Sequence, residues 1–270
     1  AIFLILLESC CPLEFRIVLK PEMVNVTGGI IEGEDYPWAP PKGNFPKGRR
    51  VQLSDFAIGK YEVTQEEYYS VMKDEVVSVT ANVDGVGERT AEFFMDSRPS
   101  FCKPNNPPYH CFEGEKQERR PVEGITFYDA LWYCNVLSRK TGLELAYNIK
   151  VTEVTSVNFS SHITNAEVEM IPGANGYRLP TLCEAEYAMR GGDPNAPDWD
   201  YLFSGAVSEP GKERYSINKG LDPVGWYQYN NKTGVSGTSD SDRENNTYYS
   251  YKGTHEVGLK KPNSLGLYDM

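Results

Sequence analysis

The side chains with the greatest chemical potential are six cysteines, and two of them bracket a single loop. Cys102 and Cys111 flank a stretch rich in proline and asparagine that has little core of its own. In an exported protein, a disulfide between them would stabilise this loop by about 2–3 kcal/mol. Two reduced thiols are the alternative, and a metal site through His110 fits no structural zinc spacing.

The apolar start of the chain indicates export. Residues 1–7 are all apolar but too few to span a bilayer, which takes about 20 residues. They are long enough for the end of a signal-peptide core, and Cys10 follows a small residue as in bacterial lipoproteins. We therefore expect residues 1–20 to be a signal or lipoprotein segment, with Cys10 lipidated and the protein extracytoplasmic and membrane-anchored. A buried terminus without a targeting role is the alternative.

Common enzyme motifs are absent from the sequence. The three histidines, at positions 110, 162 and 255, are far apart and too few for a histidine-rich iron site. There is no HExxH metalloprotease motif, no Gly-x-Ser-x-Gly elbow and no P-loop. The 27 basic and 38 acidic residues give a net charge of −11, which disfavours nucleic acid because phosphates need clustered Lys and Arg.

An aromatic and polar stretch over residues 226–254 predicts a ligand surface. Trp226, Tyr229 and Asn230 combine aromatic faces with an amide, which suits a sugar or a peptide. The alternative is a surface loop whose tyrosines cover the core. On the first interpretation the partner is a protein, a peptide or a sugar of unknown identity.

Three short helices are predicted by one N-terminal pattern, in which a threonine hydroxyl precedes a carboxylate by three residues. The pattern occurs as Thr64 with Glu67, Thr126 with Asp129 and Thr181 with Glu184. The middle helix is predicted over about residues 127–140, with Gly142 as its stop and Cys134 on its buried face. Strands are expected near residues 23–27, 51–58, 121–125, 145–148 and 167–171, the last two within a hairpin over 145–171.

Several motifs give the chain a family resemblance. Residues 177–181 read Tyr-Arg-Leu-Pro-Thr, and the helix that follows ends in Arg-Gly-Gly at 190–192. Three further segments agree in order and spacing, at residues 51–64, 120–135 and 262–270. Together these motifs, which span roughly residues 22–270, resemble the formylglycine-generating enzyme family, also called the sulfatase-modifying factor family.

The resemblance implies a fold and a domain plan. The fold would be α+β and C-type-lectin-like, with short helices on a small, twisted, mainly antiparallel sheet and much irregular structure. Residues 21–270 would form one sulfatase-modifying-factor-type domain, incomplete at its C-terminus, after the signal segment at 1–20. The 40% hydrophobic content is sufficient for one such core, and no linker or internal repeat divides the chain.

The resemblance also implies a candidate activity. Formylglycine-generating enzymes oxidise a cysteine of a sulfatase to formylglycine, using copper, oxygen and a reactive cysteine pair, and the family also binds calcium. That pair follows the segment matched by residues 262–270, so no residue of this chain corresponds to it. We therefore assign no catalytic residue and no copper or calcium ligand.

Two functional hypotheses follow. In the first, the chain is a non-catalytic, exported lipoprotein that uses a lectin-like scaffold to bind or display a ligand. In the second, it is a formylglycine-generating oxidase whose catalytic cysteines lie in a C-terminal segment beyond Met270. We favour the first, because the chain itself carries no reactive cysteine pair.

Overall fold

The computed structural model describes residues 18–35, 44–103, 114–157, 160–200, 220–227, 230 and 253–269. Within these ranges the chain forms eight strands, three α-helices and one 3-10 helix. They are β1 (Met23–Val26), β2 (Ile30–Glu32), β3 (Arg50–Gln52), β4 (Phe56–Gly59), α1 (Gln65–Met72), β5 (Val76–Val83), β6 (Gly87–Phe94), the 3-10 helix (Gln117–Arg119), α2 (Phe127–Lys140), β7 (Tyr147–Val157), β8 (Ser160–Met170) and α3 (Leu182–Met189). The strands make four antiparallel pairs, β1–β4, β2–β3, β5–β6 and β7–β8.

The three predicted helices are confirmed, and each begins with a complete capping box. The side chains of Thr64, Thr126 and Thr181 each accept a hydrogen bond from the backbone three residues on, and the carboxylate there accepts from the threonine N–H. Each box satisfies two backbone donors that the first helical turn leaves unpaired. The middle helix has the predicted bounds and is followed by Gly142 in the left-handed conformation, with a φ of 77°.

The single strand predicted over residues 51–58 is wrong, because the chain forms two strands there with different partners. β3 pairs with β2, whereas β4 pairs with β1. Between them the Leu53 N–H donates to the Gly29 carbonyl at 2.9 Å, and the Gly28 N–H donates to the Asp55 carboxylate at 2.8 Å. A Cβ on Gly28 would lie only 2.3 Å from the Leu53 carbonyl oxygen, so the crossing requires glycine.

The strand predicted over residues 121–125 is also wrong. Pro121 has no N–H to donate to a ladder, and Gly124 has a φ of 78°, which is incompatible with a strand. The Glu123 carboxylate instead accepts hydrogen bonds from two backbone N–H groups of the loop at residues 97–103, at 3.0 and 2.8 Å. These residues therefore hold that loop rather than extend a sheet.

Two long hairpins dominate the strand content. The hairpin predicted over residues 145–171 is confirmed as β7 and β8, whose register shifts at a bulge between Val151 and Val154. The β5–β6 hairpin has no counterpart among the predicted strands. Both hairpins pack against α1 and α2 around one core, whose most buried members include Val71, Val77, Leu137 and Ile163.

A second, smaller core joins β1 and β2 to α3. Val26, Ile31, Phe45, Tyr187 and Trp199 are all at most 4% exposed and pack together. Burial of such side chains is the dominant stabilising contribution to a fold of this size. No helix in the described part of the chain has the length and apolar character that crossing a membrane needs.

Candidate functional site

The main candidate site is a groove of about 350 Å³ beside α1, which we call the α1 groove. Its volume falls within the range of ligand pockets in proteins, which is about 300–1,000 Å³. Three parts of the chain build it: α1, the loop at residues 97–103 and the 3-10 helix. Its lining residues are Gln65, Glu66, Tyr69, Ser97, Arg98, Pro99, Ser100, Lys103, Gln117, Glu118 and Val122.

The start of α1 is fixed rigidly against the segment after the 3-10 helix. The Gln65 N–H donates to the Arg120 carbonyl, and the Val122 N–H donates to the Val63 carbonyl, both at 2.8 Å. The N-cap Thr64 forms a bridge with Pro121. The groove residues on α1 therefore project from a helix end that is capped and tied down on two sides.

The loop wall of the groove is held by two carboxylates. Glu123 accepts the N–H groups of Phe101 and Cys102 at 3.0 and 2.8 Å, and Asp96 accepts the N–H of Arg98 at 2.8 Å. At the base of the groove, the amides of Gln65 and Gln117 share one bond of 2.8 Å and both donate to the Cys102 carbonyl. The loop is thus positioned by specific hydrogen bonds despite having no regular secondary structure.

An aromatic ring and three cations shape the electrostatics of the groove. The Arg98 guanidinium lies over the Tyr69 ring at 3.8 Å from its centroid, and the Lys73 ammonium is 5.7 Å from the same centroid. The hydrogen bond from Arg98 is the largest cause of a lowered Tyr69 pKa, and Lys73 adds to it. The Lys103 ammonium donates to the Arg98 carbonyl at 2.6 Å. Arg98 and Lys103 thus concentrate positive charge on the loop side of the groove, and Lys73 lies near it at the end of α1.

Next to the groove lies a buried charge cluster that we call the Arg120 network, formed by Arg120, Glu115, His255 and Trp226. The Arg120 side chain is 0% exposed and lies 2.9 Å from the Glu115 carboxylate. It also donates to the Thr254 carbonyl and lies 3.7 Å from the Cys102 sulfur. Cys102 therefore contacts both the base of the groove and the network.

The other half of the network holds the segment at residues 253–269. The His255 Nδ1 lies 2.8 Å from the Glu115 carboxylate, and its ring stacks on Trp226 at 3.5 Å between centroids. Burial is the main cause of a lowered His255 pKa, and the positive charges of Arg120 and Lys260 also lower it against the effect of Glu115. A neutral His255 ring donates through Nδ1 to the Glu115 carboxylate, since carboxylate oxygens accept hydrogen bonds.

The predicted ligand-binding residues fall in this second region rather than in the groove. Trp226 is half-buried between the His255 ring and the Lys260 ammonium, which is 3.8 Å from its ring centroid. The Asn230 amide closes a local turn, accepting from the Tyr227 N–H at 2.7 Å and donating to the Gly225 carbonyl at 2.9 Å. Tyr229 lies outside the described residues. A role for these three residues in ligand binding stays a prediction.

Two other predicted sites cannot be placed geometrically. Cys10, the expected lipidation site, and Cys111, the expected disulfide partner, both lie outside the described residues. Cys102 is 2% exposed, with its sulfur 3.9 Å from the Thr254 carbonyl oxygen. The Cys102–Cys111 disulfide stays a prediction.

The remaining described thiols and acids offer no metal centre. Cys134 is a buried thiol on α2, as predicted, and burial raises its pKa to about 12. In the part of the chain that the structure describes, no group of three or more His, Cys, Asp or Glu side chains is arranged to hold a metal ion. The copper and calcium implied by the resemblance thus find no fitting ligand set among these residues, and we derive no step through either.

Sequence reasoning missed the groove residues. Tyr69, Arg98 and Lys103 belong to none of the motifs identified in the sequence, although Lys103 begins the proline- and asparagine-rich stretch after Cys102. The one available signal was the segment at residues 120–124, whose Glu123 orders the loop that carries Arg98 and Lys103. That segment was interpreted as a strand.

The recognisable motifs instead build the scaffold around α3. Arg178 clamps Glu184 with two contacts of 2.8 and 2.6 Å, and this pairing lowers the Glu184 pKa to about 2. Asn263 is 7% exposed, and its amide donates to the Ala188 carbonyl at the end of α3 at 2.8 Å. The Arg178 pair holds the capping carboxylate at the start of α3, and Asn263 satisfies a backbone carbonyl at its end, so motifs far apart in sequence act on one helix.

The chain is similar to known proteins over most of its length. A profile described as the Sulfatase-modifying factor enzyme 1-like domain matches residues 14–270. Chaperone protein LppX of Paenibacillus barcinonensis is 31% identical over 264 residues, which cover 97% of this chain and 72% of that protein.

Two solved structures are similar in fold. The crystal structure of CarF matches with a TM-score of 0.50 and 23% identity, over 93% of this chain and 76% of CarF. Treponema denticola variable protein 1 matches with a TM-score of 0.45 and 25% identity, over 92% of this chain and 73% of that one. The profile and the CarF likeness agree with three helices and small antiparallel sheets, so the fold is the predicted α+β, C-type-lectin-like one. The chain belongs to the sulfatase-modifying factor family.

Proposed function

We propose that this chain is a non-catalytic, extracytoplasmic binding protein that holds segments of polypeptide in the α1 groove. The observation that carries the proposal is the groove itself. It combines an aromatic ring, amides and exposed charges on elements that are fixed by capping and by carboxylate–backbone hydrogen bonds. Because the walls of the groove are already ordered, less conformational entropy is lost when a ligand binds.

The similarity to a protein named as a chaperone supports a polypeptide ligand over a sugar. Chaperone protein LppX matches 97% of this chain, so the groove and both hairpins fall within the matched length. Fold alone does not define a ligand, and this family's scaffold serves more than one role. We therefore base the choice of a polypeptide on this relative together with the mixed charges of the groove.

The test is whether the protein suppresses aggregation of a chemically denatured model protein, with light scattering as the measure of aggregation. We expect the unchanged protein to slow aggregation and Tyr69→Ala to lose most of that effect, because Tyr69 is the aromatic surface of the groove. Tyr128→Ala is the matched control, since Tyr128 lies on α2 outside the groove. Equal suppression by the Tyr69→Ala and Tyr128→Ala variants would contradict the proposed site.

Membrane anchoring through Cys10 is part of the proposal and rests on the sequence of residues 1–11. Metabolic labelling with radioactive palmitate in a bacterial host tests it. Label on the unchanged protein but not on Cys10→Ser is the expected result. Label that persists in the variant would place the lipid elsewhere.

Formylglycine oxidation is the second candidate function, and family membership is the observation that favours it. Incubation with copper and a cysteine-containing sulfatase peptide would test it, with an aldehyde-reactive probe as the readout. Aldehyde formation above a boiled control would establish the oxidase and displace our first proposal. We expect none from residues 1–270, because none of these residues corresponds to the family's reactive cysteine pair.

A further inference from the structure

The cations at the α1 groove have no ion pair with a described residue. About half of the described Lys and Arg side chains are ion-paired, for example Arg139 and Lys140 with Glu75. Within the described residues, by contrast, no carboxylate lies within ion-pair distance of Lys73, Arg98 or Lys103. This occurs in a protein with 11 more acidic than basic residues. Unpaired cations gathered in one concave place produce a local field that attracts anions.

The Arg98 side chain is restrained before any ligand binds. The Arg98 guanidinium lies over the Tyr69 ring, 3.8 Å from its centroid, and this stack restrains the side chain. The Asp96 carboxylate accepts the Arg98 backbone N–H. A guanidinium offers several N–H donors in a fork that matches a carboxylate. Because the stack already restricts the side chain, less rotamer freedom is lost when a carboxylate binds.

The acidic residues of the groove lie on its other elements. Glu66 projects from α1 and Glu118 from the 3-10 helix, both are exposed, and neither is ion-paired with a described residue. The cations Arg98 and Lys103 lie on the loop at residues 97–103. The groove therefore has a positive loop wall and a negative helical side, which sets the direction in which a charged ligand can lie.

We propose that the loop wall of the α1 groove binds carboxylate side chains of an acidic polypeptide segment. The proposal rests on the proposed function and adds the chemical class of the polypeptide. The carboxylates contact Arg98 and Lys103, with Lys73 supplying longer-range attraction, while Glu66 and Glu118 exclude further acidic residues from the helical side. A groove of about 350 Å³ accommodates a short extended segment rather than a folded domain.

The experiment measures binding of short fluorescent peptides by anisotropy, using peptides of alternating Ala with Glu, Gln or Lys. We expect the Glu peptide to bind roughly tenfold more tightly than the Gln peptide at low salt, and the Lys peptide to bind weakest. The Arg98→Gln variant and the Lys103→Gln variant should each weaken Glu-peptide binding several-fold and reduce its salt dependence. Glu66→Gln should strengthen it, an opposite sign that general loss of folding cannot produce.

A matched control separates the groove from the total charge. Arg89 is an exposed arginine on β6 that has no ion pair with a described residue, so Arg89→Gln makes the same charge change outside the groove. Its Glu-peptide affinity should stay unchanged. Equal affinities for the Glu and Gln peptides would overturn this inference and leave the polypeptide-binding proposal standing. Absence of binding by all three peptides would overturn both.

Discussion

Two arginines associated with the loop at residues 97–103 have opposite surroundings. Arg98 is exposed, lies over the Tyr69 ring and has no ion pair with a described residue. Arg120 is 0% exposed and contacts Glu115, the Thr254 carbonyl and Cys102. The Arg120 guanidinium is engaged in buried contacts that hold the segment at residues 253–269. The Arg98 guanidinium, by contrast, is exposed to a ligand. The difference indicates which charges of the molecule serve the fold and which serve binding.

The largest expected effect is from removing the buried arginine. Arg120→Ala removes the buried guanidinium that pairs with the Glu115 carboxylate, and breaking a buried pair costs about 3–5 kcal/mol. The free energy of unfolding is measured by urea denaturation, with circular dichroism as the signal. Arg98→Ala is the control and should change it by less than about 0.5 kcal/mol, as expected of an exposed side chain. Similar losses in the two variants would break the comparison.

A smaller effect is expected when the sign of the groove wall is reversed. Arg98→Glu combined with Lys103→Glu should invert the peptide preference, so that the Lys peptide binds roughly tenfold more tightly than the Glu peptide. The charges of the Arg120 network are unchanged, so the melting temperature should stay close to that of the unchanged protein. An unaltered preference for the Glu peptide would show that the loop wall does not contact the ligand.

Among stability effects, the smallest should arise from histidine titration, and it differs in sign between two regions. Burial lowers the pKa of His255. The pKa of His162 is raised instead, because its ring is hydrogen-bonded to the Asp129 carboxylate at 2.7 Å. The stability contributed by His255 is therefore complete above about pH 6.5 and is lost as the pH falls. The contribution of His162 is complete below about pH 6.5 and is lost as the pH rises through its raised pKa.

Gln variants at the two positions measure this opposition. The unfolding free energies of His255→Gln and His162→Gln are compared with that of the unchanged protein between about pH 5 and about pH 8. The deficit of His255→Gln should grow with pH, and that of His162→Gln should shrink. Deficits that change in the same direction would show that burial does not lower the pKa of His255.

The scaffold was more predictable from sequence than the groove, for a physical reason. Capping boxes are local: Thr64, Thr126 and Thr181 each act on a carboxylate three residues away, so a short window of sequence contains the whole interaction. The motif residues Arg178 and Asn263 also serve the fold, at the two ends of α3. The motifs that carry the family resemblance therefore predicted the scaffold and not the groove.

The groove depends on contacts that no short window contains. Tyr69 and Arg98 are far apart in sequence, and Arg98 meets Tyr69 from a loop that Asp96 and Glu123 hold by hydrogen bonds to its backbone. The residues around Glu123 were predicted to be a strand, although Pro121 and Gly124 prevent one. The β5–β6 hairpin, which separates α1 from that loop in the chain, was not predicted at all. Each of these missed features depends on tertiary contacts and not on the local conformational preference of a few residues.

The central claim is that polypeptide binds in the α1 groove. Hydrogen–deuterium exchange with and without saturating Glu peptide tests it most directly, because it reports on every segment at once. We predict slower exchange at residues 65–72 and 97–103, with no change at the exposed end of the β5–β6 hairpin. Protection confined to a hairpin, or to the segment at residues 220–230 around Trp226, would contradict the claim and move the binding site there.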